Sequence, residues 1–397
     1  MTDTPLICQR SSEAFHFATL YDRTNRIPRW SAYKLSTTNC TGEPRRMFSW
    51  FVEPQLADME KNPDMTTESK SNETDHELRL SQAIGEDYED TSYDRGQLNP
   101  NDYYCDNDRT ATFTLTNAVP MDPCFHQLLW SKLQQVLKTY LNENCIRPGG
   151  SPYLVTGAVA SGSMQIPRED TDKEGDRNRA YNQVSVPSHI WTAVCCDQAD
   201  DTQKFSVAFL AENKEESRLQ ILPVEELNAE LARLYNASQP FKIFSDNCGT
   251  NTTKEQIVSS AVKSAWYTTF QTLLLDSYSQ LFPPDERSRL DAETAQVMGN
   301  LNLDKDSVRL TGIEFAVTFP SVAHWYRKFK EIYDQGHLSC VLTPAAAAAK
   351  DPGTSDRVCT LQKQKHLPGS TVTAGGWSCV GEPCGQHNQT DYSWCYT

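Results

Sequence analysis

The chain has 397 residues, 38% of them hydrophobic, with 16 Tyr, 15 Phe and 8 Trp. That excludes a wholly disordered chain and suits one large domain with appendages. The formal charge of −15, from 37 basic and 52 acidic residues, argues against tight non-specific binding of a polyanion, which rests on neutralising phosphates with Lys and Arg. No run of about 18 apolar residues occurs, so no transmembrane helix and no membrane partner are expected.

Residues 8–56 read as short strands and turns: 16–21 is β-prone, Asn25-Arg-Ile-Pro28 signals a turn, 30–33 resumes a strand and 48–52 forms another. Residues 57–90 carry eleven acidic and three basic side chains, and are expected to form a solvated, mobile insertion. Residues 110–118 alternate Ala111, Phe113 and Leu115 with Thr112, Thr114 and Thr116, the pattern of a half-buried strand. From 124 to 141 apolar residues recur at three- and four-residue spacing, and Asp122-Pro123 marks a helix start. Strands follow at 152–157, 190–194 and 205–210, with an exposed charged loop at about 161–182. Helices are predicted at 223–235, 254–281 and 320–334.

These segments assemble into a domain over residues 1–300, a helical extension over 301–340, a linker over 341–374 and a small Cys-rich tail module over 375–397. The fold class expected is α+β, a central, mainly antiparallel sheet flanked by helices.

Thirteen cysteines and the sequons at Asn39, Asn72, Asn236, Asn251 and Asn388 together favour an oxidising compartment and N-glycosylation. The alternative is a cytosolic protein with buried, unpaired thiols. The first residues lack a basic start and a long apolar segment, so the expectation is a secreted protein whose signal peptide is not in this sequence. An odd cysteine count leaves one thiol free or paired elsewhere.

The chemistry-bearing stretch is Tyr93-Asp94-Arg95-Gly96-Gln97-Leu98-Asn99-Pro100, followed by Thr114-Leu-Thr-Asn117-Ala-Val-Pro120. It resembles the active-site signature of the DNA/RNA non-specific endonucleases, the metal-dependent ββα nucleases. Trp50-Phe-Val-Glu-Pro-Gln55 and Trp191-Thr-Ala-Val-Cys-Cys196 extend the resemblance to the secreted, endonuclease-domain-containing-1-like branch of that family, over residues about 8–250.

The resemblance implies a ββα element at about 94–137, with Arg95 as a phosphate-side cation, Gly96 permitting a tight loop, Asn117 as a groove residue near the metal and Asn99 beside the nucleic acid. It also implies a divalent cation such as Mg²⁺ if the chain is active. The departures fall on the chemical positions. Gln97 stands where the family has its general-base histidine, and an amide has no titratable proton near neutrality. Spacing puts His126 and Gln134 where the family places an Asn and a Glu that hold the metal. Positions 126, 130 and 134 share one helical face, so the geometry is kept while the donors differ. Loss of a general base costs on the order of 10²–10⁴ in rate. His126 suits a softer cation such as Zn²⁺, or a displaced base.

The expectation is therefore a secreted nuclease-fold protein with weak or lost catalysis, with no cofactor required if catalysis is lost, that binds an extracellular protein or ligand or serves structurally. The alternative is an active, divalent-metal-dependent endonuclease acting on DNA and RNA. A third reading is carriage of a ligand or pigment in the vacated cleft.

Overall fold

A computed structural model describes residues 3–265, apart from 37–48, 71–74, 170–179, 249–253 and a few isolated positions. Two compact units divide the chain, Met1–Trp266 and Tyr267–Thr397. Residues 267–300, grouped with the first domain on sequence, lie outside the described residues. The expected extension at 301–340, linker and tail module lie outside the described residues.

In chain order the strands are β1 (Leu6–Ser11), β2 (Ala14–Asp22), β3 (Ile27–Lys34), β4 (Phe51–Val52), β5 (Thr66–Thr67), β6 (Asp94–Gln97), β7 (Ala118–Met121), β8 (Ser151–Ile166), β9 (Val184–Asp197), β10 (Phe205–Glu212) and β11 (Gln220–Leu222). The helices are α1 (Pro54–Ala57), α2 (Asp75–Ser81), α3 (Asp106–Ala111), α4 (Ser131–Leu141) and α5 (Val224–Leu234). Seven strands form one sheet in the order β1-β2-β3-β8-β9-β10-β11, with every neighbouring pair antiparallel. The α+β class with a mainly antiparallel sheet stands. Among the described residues no helix is long and apolar enough to cross a membrane.

Successive side chains of a strand point to opposite faces, and β9 uses both. On one face Trp191 and Ala193 pack with Ala208 and Leu210 against Val224, Leu227 and Leu231 of α5, all buried. Each large apolar side chain among them contributes about 1.5–3 kcal/mol. Cys195, on this face, is bonded to Cys248. Cys196 points the other way and is bonded to Cys145, just beyond α4. The adjacent cysteines thus tie one central strand to segments on opposite faces of the sheet. Each disulfide closes a loop of about fifty residues, separations of 51 and 53, worth about 4 kcal/mol in the chain-entropy account.

The second face carries buried hydroxyls. Ser31, Tyr33, Thr156 and Thr192 stand 0%, 6%, 1% and 4% exposed. Tyr33 Oη bonds Thr156 Oγ1 at 2.8 Å, and Thr156 Oγ1 bonds Thr192 Oγ1 at 2.8 Å. Buried polar groups persist only when paired. These have partners within the row and in the ββα element laid over it: Tyr33 Oη also donates to the Leu98 carbonyl, and Ser31 Oγ to Asn117 Oδ1.

That element is β6 paired antiparallel with β7, Asp94 opposite Met121 and Gln97 opposite Ala118, followed by a π-helical turn (Phe125–Trp130) that runs into α4. Asp122 begins the helix as expected, its carboxylate accepting from the Phe125 amide at 2.9 Å. Gly96 serves a purpose other than the expected tight loop. It has no positive φ, but a Cβ there would lie 2.2 Å from Met121 Sδ, and Met121 is fully buried. Gly96→Ala is expected to lower stability by about 1–3 kcal/mol through overpacking, read as a lower melting temperature. An unchanged melting temperature would contradict this packing.

Three sequence expectations need correction. Residues 57–90 are not a solvated, mobile insertion throughout: Met65, Leu78, Ala83, Ile84 and Tyr88 are buried. Their acidic neighbours serve locally, Asp87 accepting from the Ile84 amide and pairing with Arg79. A charge count over the whole segment concealed these few apolar anchors. Residues 110–118 are not a half-buried strand; α3 ends at Ala111, and strand resumes only at Ala118. Their threonines alternate with apolar residues, yet Thr112, Thr114 and Thr116 are all 0% exposed. The hydroxyls are satisfied internally, so the alternation does not mark a wet face. The loop expected at 161–182 is strand as far as Ile166, because β8 and β9 extend beyond the main sheet as a long hairpin.

Candidate functional site

Gln97 ends β6 and is 7% exposed. Its amide Nε2 donates to the Thr112 carbonyl at 2.9 Å and to Thr112 Oγ1 at 3.3 Å. Its Oε1 accepts from the Asn101 backbone amide at 3.2 Å and from Asn101 Nδ2 at 2.6 Å. The orientation is unambiguous, because a carbonyl can only accept and a backbone N–H can only donate. Both ends of the side chain are committed to protein, and neither can take a proton from water near neutrality.

Asn117 is not a groove residue. It is 0% exposed, and its amide is a strut between three segments. Oδ1 accepts from Ser31 Oγ and the Asn99 amide, each at 3.0 Å. Nδ2 donates to the carbonyls of Asn99 and Thr112, each at 3.0 Å. Asn99 is 1% exposed, which removes it from any surface that a nucleic acid could touch.

Arg95, expected to face phosphate, turns into the protein. Its Nη2 donates to the Gly85 carbonyl at 2.9 Å, and its guanidinium lies 5.4 Å from the Tyr88 ring centre and 5.9 Å from that of Trp50. Such stacking contributes about 0.5–2 kcal/mol, rising with desolvation. Engaging a phosphate would forfeit part of it.

His126 lies in the first turn of the helix, with Nδ1 2.8 Å from Asp94 Oδ2 at the start of β6. The side chains of His126 and Asp94 keep 24% and 14% exposure. Nδ1 donates, since a carboxylate only accepts, and in the neutral imidazole Nε2 then remains the acceptor. This bond links the start of β6 to the first turn of the helix. Gln134, on α4, is half-buried and receives a hydrogen bond from Tyr103 Oη only through its backbone carbonyl, at 3.0 Å. The structure thus brings Asp94 to His126 and Gln97 to Asn101, while no hydrogen bond joins Gln134 to His126.

Among the described residues no group of three His, Cys, Asp or Glu side chains could hold a metal ion. A hard cation of the Mg²⁺ type takes several oxygen ligands. The two positions in question offer an imidazole already bonded to Asp94 and a neutral amide, which do not fit it. Burial pushes the phenols of Tyr33, Tyr88 and Tyr103 upward, so none supplies a substitute base near neutrality.

Sequence reasoning did not identify Ser31 or the Asp94–His126 pair. Ser31 and Tyr33 are spaced to share a strand face, a signal available in the sequence. The pairing of Asp94 with His126 depends on β6 and the helix meeting in space, and has no local signal.

A two-stranded antiparallel unit feeding a helix across a sheet, with its signature on the first strand, defines a ββα nuclease-type domain. The family model for DNA/RNA non-specific endonuclease matches residues 4–241, and the chain belongs to that family. It is 31% identical over 246 residues to the human protein called endonuclease domain-containing 1 protein, a match covering 61% of this chain and 43% of that protein. The mouse protein of the same name is 29% identical over 244 residues, with 61% and 43% covered. The chain therefore spans less than half the length of these relatives. A solved chain from an EndoG/EndoGI complex is 17% identical, covers 64% of this chain and 89% of its own, and has a TM-score of 0.39.

Proposed function

We propose that this chain is a nuclease-fold protein whose metal-dependent phosphodiester hydrolysis is weak or lost, and that it binds an extracellular protein or ligand or serves structurally. The observation that carries this reading is the commitment of Gln97: the base position holds an amide with every hydrogen bond made to protein. Hydrolysis of this type needs an activated water, metal ligands and free cations at the phosphate. Gln97, the His126 and Gln134 pair, and Arg95 depart from these needs in turn. The net charge of −15 disfavours nucleic acid as the principal partner.

Secretion and glycosylation belong to the same proposal. Among the described cysteines, Cys105, Cys145, Cys195, Cys196 and Cys248 are disulfide-bonded and Cys8 is free and exposed. Asn236 lies exposed just past α5, open to a glycan; the sequons at Asn39, Asn72, Asn251 and Asn388 lie outside the described residues.

If the metal positions are vacant of function, Mn²⁺ should broaden the NMR amide signals of residues 94–97 and 126 no more than those of α5. Selective broadening around His126 would overturn this. The alternative, a working endonuclease on altered residues, has one observation in its favour: Asp94 holds the imidazole of His126 in a fixed orientation with part of its surface open.

A further inference from the structure

Behind the site lies a buried polar knot that the nuclease signature does not explain. Glu53 is 5% exposed, and around it Gln9, Gln82, Thr114 and Thr116 are each 0% exposed. Glu53 Oε1 accepts from Gln9 Nε2 at 2.9 Å and from Thr114 Oγ1 at 2.6 Å. The Glu53 backbone amide donates to Gln82 Oε1 and its carbonyl accepts from Gln82 Nε2, each at 2.8 Å. Thr114 Oγ1 also bonds Thr116 Oγ1 at 3.1 Å, and the Phe51 amide donates to the Phe113 carbonyl at 2.9 Å. The carboxyl thus ties β1 and the turn leading to Asn117 to the β4–α1 junction, while the Glu53 backbone holds the segment after α2.

We propose that Glu53 is a proton-operated latch: protonated, its carboxyl fastens β1, the β4–α1 junction and the turn leading to Asn117 into one wall behind the site, and ionised, it loosens them. An isolated buried carboxylate is costly unless cations or several donors surround it. The hydrogen-bonding neighbours here are neutral amides and hydroxyls. The charged group acting on Glu53 is Asp64, of like sign, itself paired with Arg10 of β1 at 3.3 Å. One acceptor in the knot is also unfilled: Gln9 Oε1 is buried without a hydrogen-bond donor, although Gln9 Nε2 already donates to this carboxyl. A protonated carboxyl carries the hydrogen that this oxygen lacks; a carboxylate does not.

Burial, opposed by the bonds from Thr114 and Gln9, pushes the Glu53 carboxyl up from the ordinary 4.5 to about 6. A group whose folded value is raised contributes its stabilisation fully below the unfolded value, and loses it as pH rises through the folded one. The window therefore runs from about 4.5 to about 6. Across it, the opening constant of the wall is expected to rise about 30-fold.

Hydrogen exchange on the full chain tests this, following peptides that span residues 49–56 and 112–118 from about pH 4.5 to about pH 7.5 with intrinsic exchange rates divided out. The wild type should show the rise across that window, levelling off above about pH 6. Glu53→Gln should give a flat profile while peptides in α5 behave as in the wild type. A wild-type profile without a transition in this window overturns the latch, and needs no variant to do so. A Glu53→Gln profile that still carries the wild-type transition overturns it equally.

Discussion

Asn117→Ala is expected to cost about 3–5 kcal/mol and to unfold much of the domain near physiological temperature. The substitution removes four hydrogen bonds at once. It leaves the Asn99 amide and carbonyl buried without their partner, each worth about 1–3 kcal/mol when orphaned, and takes one of two donors from the Thr112 carbonyl. Total stabilities of natural domains lie at about 5–15 kcal/mol, so the loss takes a large share. Thr112 is also the acceptor for Gln97, so the disturbance reaches the base position directly. Thermal unfolding followed by near-ultraviolet circular dichroism checks the prediction, and a wild-type melting temperature would refute the role of Asn117 as a strut. Loss of any activity in this variant would be no sign of catalysis; Arg95 and His126, being partly exposed, are the sounder probes.

The second large effect concerns the three altered positions together. Gln97→His/His126→Asn/Gln134→Glu is expected to raise Mg²⁺-dependent plasmid nicking by at least about 10²-fold over the wild type, the scale of one general base. Gln97→His alone is expected to do little. It supplies a base, but leaves His126 bonded to Asp94 and Gln134 a neutral amide, so no carboxylate holds the cation that would stabilise the developing charge. Non-additivity of this kind is usual for residues that act as a unit. If the single substitution matched the triple one, the metal positions would be intact in function, and His126 and Gln134 would not be the lost ligands.

The fold was legible in the sequence where pattern and burial agree. Pro223 as a first-turn residue pointed to a helix at 223–235, and the structure places it at Val224–Leu234 with Val224, Leu227 and Leu231 buried. The strand expected at 205–210 and the turn before β3 likewise corresponded to real elements. Pattern failed where polar residues are buried. Thr112, Thr114 and Thr116 read as a solvent-facing row, but their hydroxyls bond to the chain itself. Residues 78–88 read as part of an acidic insertion, but Leu78, Ala83, Ile84 and Tyr88 carry the segment into the core.

The site was legible as a motif and much less so as geometry. Asp94, Arg95, Gly96 and Gln97 fall on β6 as the ββα pattern requires. The direction each side chain takes depends on partners distant in sequence: Gly85 and Trp50 for Arg95, Ser31 for Asn117, and His126 for Asp94. No local spacing encodes those meetings.

Whether the family's hydrolytic centre still works in this chain is decided by incubating supercoiled plasmid and single-stranded RNA with the purified wild-type protein and Mg²⁺, Mn²⁺ or Zn²⁺. No cleavage is expected above that of a matched Arg95→Ala/His126→Ala control. Robust cleavage by the wild type that this double variant abolishes would show the centre to be intact and the proposed loss of catalysis to be wrong.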